Sequence, residues 1–313
     1  MSRIAFLGPP GTFTEEALLT QADLAQLERA PMATVPEVIT AVDEGQTIRG
    51  IVPIENSIEG SVAVTLDTLA FDTDLLIQRE IDLPISLQLA TKPGTKLGDI
   101  HVVMSHPHAL AQCRVWKSNK LPGAATEAAN STSEAARLVS QTSSADRAAI
   151  CTAYAAKLYG LKVLASDIQD HSGNQTRFVL LGRGIPAPTG HDKTSIVCFQ
   201  RQDKPGSLLA ILSEFASRNI NLTKLESRPT KHGLGQYCFF IDFNGHLADE
   251  RIADCLRHLA ARQAEVKFLG SYPVAGAEAP SQREQATKQW KQAGAWLDEL
   301  RAQVRQPHED PQV

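Results

Sequence analysis

The sequence predicts an α/β protein in two folded parts: a two-lobed α/β region, then a ferredoxin-like βαββαβ unit that leads into a C-terminal amphipathic helix. Three observations carry this. Short apolar runs bounded by turn residues alternate with amphipathic stretches as far as Leu181. The segment from Gly182 to Asp192 then holds three glycines and two prolines, the composition of a linker. Beyond it, six elements alternate in the order βαββαβ.

In the first part, residues 3–8 read as a buried strand, followed by a Gly/Pro turn and a helix over about 13–28. Gly50 to Glu55 is a second strand, and Val62 to Leu69 a helix. The pattern restarts after the charged pair Arg79-Glu80. Ile85 to Ala90 and Ile100 to Met104 read as strands, Pro107 to Trp116 and Ser131 to Val139 as helices, and Ala148 to Cys151 and Phe178 to Leu181 as strands. Strand and helix in turn imply parallel pairing. Two lobes with a cleft between them are expected, with the chain crossing near 80–90 and again near 165–178.

In the second part, Thr194–Phe199, Leu222–Arg228, Gln236–Phe243 and Val266–Leu269 read as strands. Ser207–Ala216 and Ile252–Ala261 read as helices. The expected division is 1–183, a linker at 184–192, 193–273, and a tail at 274–313. In the tail, Ala286, Trp290, Ala293, Leu297, Leu300 and Val304 form an a/d seam, which predicts one amphipathic helix over about 281–305.

Composition excludes several functions. A net charge of −4 and 5% aromatic residues argue against a nucleic-acid or anionic-membrane partner. No apolar run approaches the ~20 residues of a membrane span. The five cysteines are scattered, without a CxxC pair, as expected of reduced thiols in a cytoplasmic protein.

Three helix starts follow strands, where ligands bind in open α/β sheets. Thr12-Phe13-Thr14-Glu15 and Ser131-Thr132-Ser133-Glu134 fit capping boxes, and Ser105 precedes His106-Pro107-His108 as a candidate N-cap. Free N–H groups at such ends suit a small carboxylate. The loop Gly8-Pro9-Pro10-Gly11-Thr12 lacks the lysine of a nucleotide loop, and GxGxxG is absent. His106 and His108 have no nearby Asp or Glu to complete a metal set, so no metal is expected. Glu55, Asn56 and Ser57 end a strand in a polar turn that would serve as a hydrogen-bonding wall; equally, Asn56 could form the turn, Ser57 or Ser61 cap a helix, and Glu59 be a solvated charge. Before Phe178, Asn174 and Thr176 share one face of an extended segment and Arg177 takes the other.

Taken in order over about residues 3–272, "GPPGTFTEEA", "PIENSIEGSVAVTLDTL", "SHPHALAQC" and "IQDHSGNQTRF" resemble the blocks of the prephenate dehydratase family. "PGSLLAIL" and "LESRP" resemble the phenylalanine-binding motifs of an ACT regulatory domain. His108 stands where glutamine is commoner in the family, and Ser207 where alanine is usual. The resemblance implies a periplasmic-binding-protein-like catalytic region that converts prephenate to phenylpyruvate, water and carbon dioxide without a cofactor. It implies Thr176 as donor to the departing hydroxide, with Asn56, Ser105 and Gln112 in the active site. Thr12, Glu55, Ser57, Asn174, Arg177 and Phe178 are the further substrate-binding candidates; Arg177 could instead make a structural salt bridge.

For the second part the resemblance implies inhibition by phenylalanine, bound near Gly206, Ser207, Leu208, Leu209, Glu226, Ser227, Arg228 and Pro229 in a homodimer or homotetramer. Arogenate dehydratase remains open as the activity. From another class, so does a non-catalytic amino-acid sensor with a solute-binding plan, against which the Thr176, Asn56 and Gln112 set argues.

Overall fold

The computed structural model describes residues 2–200, 204–231, 233, 236–276, 292 and 294–303. The chain divides into two compact units, Met1–Gly184 and Ile185–Val313.

The first unit begins with β1 (Arg3–Leu7), α1 (Phe13–Leu19), β2 (Glu28–Met32), α2 (Val35–Asp43), β3 (Arg49–Asn56), β4 (Gly60–Ser61), α3 (Ala63–Phe71) and β5 (Leu76–Pro84). It continues with β6 (Gln88–Thr91), β7 (Val102–Ser105), α4 (Pro107–Gln112), α5 (Arg114–Lys120), β8 (Ala125–Ala128), α6 (Thr132–Gln141), β9 (Arg147–Cys151), α7 (Ala153–Leu158) and β10 (Lys162–Ala165). The last strand, β11 (Gln175–Gly182), returns to the first lobe.

One sheet has the order β2-β1-β3-β11-β5 with β4 on β3, and the other β10-β6-β9-β7-β8. The chain therefore passes between lobes at two places, after Pro84 and before Gln175. The amide of Ile85 donates to the Asn174 carbonyl at 2.8 Å, tying the two crossings together. An apolar cluster runs from Ile4, Phe6 and Phe178 through Ile85 and Leu87 to Val103 and Ile150.

Several expectations change. The pairing is mixed rather than parallel: β11 runs antiparallel to β3 and β5, and β6 antiparallel to β9. α1 stops at Leu19, where the Thr20 hydroxyl donates to the Ala17 carbonyl at 2.7 Å and satisfies an end group. The single helix expected over 107–116 breaks at Cys113, because the Asp170 carboxylate accepts the amides of Val115 (2.9 Å) and Trp116 (3.0 Å) and starts a second helix. The N-cap of α4 is His106, not Ser105, with its ring nitrogen accepting from the His108 amide. Arg79 and Glu80 lie inside β5 rather than at a break; Glu80 is buried.

The second unit contains β12 (Asp192–Gln200), α8 (Ser207–Ala216), β13 (Leu222–Pro229), β14 (Tyr237–Asn244), α9 (Glu250–His258) and β15 (Ala264–Pro273), in an antiparallel sheet of order β13-β14-β12-β15. Ile196, Ile211, Phe215, Ile241, Phe243 and Ile252 pack between sheet and helices. α9 gives way at Leu259 to a π-helical turn, short of the expected Ala261. In the tail, residues 294–302 are helical and expose Trp296, Leu297 and Leu300. The seam positions Ala286, Trp290, Ala293 and Val304 lie outside the described residues. Among the described residues no helix is long and apolar enough to cross a membrane.

Candidate active site

Thr176 pairs directly with Asn56 across the β3–β11 ladder. The Asn56 carboxamide is fixed by its own turn, since Oδ1 accepts from the amides of Ile58 (2.9 Å) and Glu59 (3.0 Å). Its nitrogen must therefore donate. Nδ2 reaches Asn174 Oδ1 and Thr176 Oγ1, both at 2.8 Å, and the Gln175 carbonyl at 3.2 Å. The Thr176 hydroxyl thus accepts from Asn56 and lines the cleft.

The chain of amides continues into the second lobe. Asn174 is buried and donates from Nδ2 to Gln112 Oε1 at 3.2 Å. Gln112 donates from Nε2 to Glu59 Oε1 at 3.1 Å. Every donor in this series points toward the Glu59 carboxylate, an arrangement in which each bond polarises the next.

The cleft has a volume of about 460 Å³. Leu7, Phe13, Pro53, Ile85, Leu87 and Phe178 form its apolar part. Three helix starts contribute to its polar part: Thr12 to Thr14 at α1, His106 and His108 at α4, and Ser131 and Thr132 at α6. Thr12 and Ser131 cap their helices as expected, accepting from the Glu15 and Glu134 amides at 3.4 and 2.9 Å. Neither forms the expected reciprocal box, because the glutamates accept one residue further back, from Gly11 (2.7 Å) and Asn130 (2.9 Å). Among the described residues that line the cleft, none is lysine or arginine.

Burial, helped by the neighbouring His108, holds His106 below the usual imidazole range. The two rings meet edge to face with centroids 5.0 Å apart, and His108 Nδ1 lies 3.5 Å from Glu59 Oε2. Among the described residues no group of three or more His, Cys, Asp or Glu side chains could hold a metal.

The structure thus brings Asn56, Gln112, Asn174, Thr176, Thr12 and Phe178 to one cleft. Ser57 stands behind it, accepting from the Gln175 amide at 2.9 Å. Ser105 does not line it; its fully buried hydroxyl donates to the Ile150 carbonyl at 2.6 Å. Glu55 and Arg177 lie outside the lining, with Arg177 paired to Glu80 at 2.8 Å and to Glu55 at 3.5 Å. Glu59, His106, His108 and Asn130 line the cleft but were not among the expected site residues. For Glu59 the signal was present, since it belongs to the same polar turn as Asn56.

In the second unit a groove of about 580 Å³ is lined by Gly206, Ser207, Leu208, Leu209, Ser227 and, among others, Tyr237 and Phe239. Gly206 caps α8 at φ 88°, a left-handed conformation that favours glycine. Glu226, Arg228 and Pro229 do not line the groove; Glu226 pairs instead with Lys224 (3.4 Å) and Arg228 (3.6 Å).

Comparison with known proteins follows this division. Residues 4–185 match the family described as prephenate dehydratase, and residues 194–261 the ACT domain. A prephenate dehydratase of Amycolatopsis methanolica is 45% identical over 275 residues, covering 87% of this chain and 88% of its own. That of Mycolicibacterium vanbaalenii is 43% identical over 319 aligned positions, covering 96% and 99%. The solved prephenate dehydratase of Arthrobacter aurescens, in complex with L-Phe, superposes with a TM-score of 0.86 at 40% identity, covering 95% of this chain and 99% of that one.

Proposed function

The chain belongs to the prephenate dehydratase family, and from that premise we propose that Thr176 is the hydrogen-bond donor that lets hydroxide leave prephenate. The reaction is that of a hydro-lyase: prephenate becomes phenylpyruvate with loss of carbon dioxide and water. As the ring carboxylate departs, the electrons of its bond flow into the ring and expel the hydroxyl opposite. Aromatisation supplies the driving force. The protein has to hold the substrate in register and stabilise the oxygen as charge develops on it.

The observation that carries this reading is the 2.8 Å donation from Asn56 Nδ2 to Thr176 Oγ1. It occupies one acceptor position of the hydroxyl and leaves the proton available to a group in the cleft. Asn174 and Gln112 hold Asn56 in that orientation. The capped starts of α1 and α6 offer backbone N–H groups to substrate carboxylates. Phenylpyruvate formation from prephenate by the purified protein tests the reading, and no turnover would refute it. Running arogenate beside prephenate decides which substrate is preferred.

In this reading residues 1–183 are catalytic, 184–192 link, 193–273 regulate, and 274–313 form a tail. Phenylalanine is the effector, bound at the groove beside Gly206, a reading supported by the L-Phe complex of the Arthrobacter aurescens relative. Pairing of second units in a homodimer or homotetramer belongs to the same reading. Five buried free thiols suit a reducing cytoplasm. Calorimetry with phenylalanine tests the effector site, and absence of binding would remove it.

A further inference from the structure

The substrate assigned above is a dicarboxylate, yet among the described residues lining the cleft there is no lysine or arginine. The side chains there that carry or can gain charge are Glu59, His106 and His108. His106 is committed as a neutral ring, since its Nδ1 accepts from the His108 amide at 3.4 Å to cap α4. Its burial favours the same state. His108 is left as the imidazole that already faces a carboxylate, with Nδ1 3.5 Å from Glu59 Oε2.

His108 stands one helical turn before Gln112, so the two share a face of α4. That face already holds a carboxylate. Glu59 reaches it from the β3–β4 turn of the other lobe, with Oε1 3.1 Å from Gln112 Nε2 and Oε2 3.5 Å from His108 Nδ1. The contact is open to the cleft: the side chains of His108 and Glu59 are 62% and 40% exposed. The groups facing His108 are Glu59 across the cleft and His106 on its own side.

We infer that His108 and Gln112 form the subsite for the side-chain carboxylate of the substrate, and that Glu59 competes for it as an internal carboxylate. The inference rests on the prephenate reading. Chemistry selects which carboxylate it takes. The ring carboxylate leaves as carbon dioxide, and a cation paired with it would hold back charge that must flow into the ring. The side-chain carboxylate persists unchanged into phenylpyruvate, so binding it is uniform along the reaction and acts on KM. Glu59 must be displaced, which weakens substrate binding and leaves the chemical step alone.

The test is steady-state kinetics of the full chain as wild type, His108→Gln and Glu59→Gln, with phenylpyruvate as product inhibitor. For His108→Gln, KM and the phenylpyruvate inhibition constant rise together by about tenfold, the scale of a charge-assisted hydrogen bond, while kcat stays within about twofold. Glu59→Gln moves both constants the opposite way, which no loss of structure would do. An active His108→Gln protein with unchanged KM, or a raised KM in Glu59→Gln, overturns the inference alone. A wild type that does not turn over prephenate overturns the functional reading and this inference with it.

Discussion

Asn56 on β3 donates to the hydroxyl of Thr176 on β11 from the directly opposed position of an antiparallel pair, at 2.8 Å. Because Asn56 Oδ1 is held by two backbone amides, the direction of this bond is set by the turn after β3. The polarity of the proposed donor is therefore a property of the fold around it.

Removing that donor should leave binding largely intact and slow the chemistry. Thr176→Ala is expected to lower kcat by ~10²-fold or more, the scale of a lost positioned donor, with KM changed far less. Thr176→Ser should retain most of the rate. A phenylpyruvate assay reads both, and equal kcat in wild type and Thr176→Ala would refute the assignment.

Reversing the polarity should be nearly as damaging as deleting the donor. In Asn56→Asp one oxygen still accepts from Ile58 and Glu59, but the other faces Asn174 Oδ1 and Thr176 Oγ1 without a proton. The Thr176 proton then turns toward Asp and away from substrate. Kinetics should show kcat reduced by ~10²-fold, from a change in the residue directly opposite the proposed donor.

Arg177 should behave as a structural residue despite adjoining Thr176. Its side chain is 12% exposed and pairs with Glu80, itself 2% exposed. Arg177→Met takes that partner from a buried carboxylate, a loss of about 3–5 kcal/mol. Thermal melting should fall by about 10 °C, while kcat of the folded protein stays within a few-fold.

The thiols give a pH test. Burial pushes Cys113, Cys151, Cys198 and Cys255 up to about 12 from an ordinary 9.0. Their folded values are raised, so the stability they contribute is complete below 9.0 and is lost as pH climbs toward 12. Mass spectrometry after iodoacetamide at pH 8 should find these four unmodified until denaturant is added; rapid labelling of the native protein would contradict their burial.

The parts legible in sequence were those whose burial is written locally. β1 reads as a strand because Ile4, Ala5 and Phe6 are all buried, as in a strand covered on both faces. β2 does not: Glu28 and Arg29 are exposed, Ala30 alone is buried, and Pro31 argues against a strand. It exists because β1 offers it a parallel partner. β5 was hidden by Arg79 and Glu80, whose charges are met by Asp23 and by Arg177 on β11. At the site, strand alternation separated Thr176 from Arg177 correctly, and those faces are the ones observed. It could not bring Thr176 to Asn56, which is 120 residues away. Resemblance alone proposed that meeting. Ser105 lay beyond both methods, since its neighbour Ile150 offers a carbonyl that no local pattern announces.

The two lobes are joined by the stretches after Pro84 and before Gln175, and these are bonded to each other through Ile85 and Asn174. Any swing of one sheet against the other pivots there. Asn174 sits on the pivot, and Thr176, two residues beyond it, is already paired into the first lobe's sheet between β3 and β5. A change at the pivot therefore meets the proposed donor through Asn174, which bonds both to Asn56 beside Thr176 and to Gln112 in the second lobe.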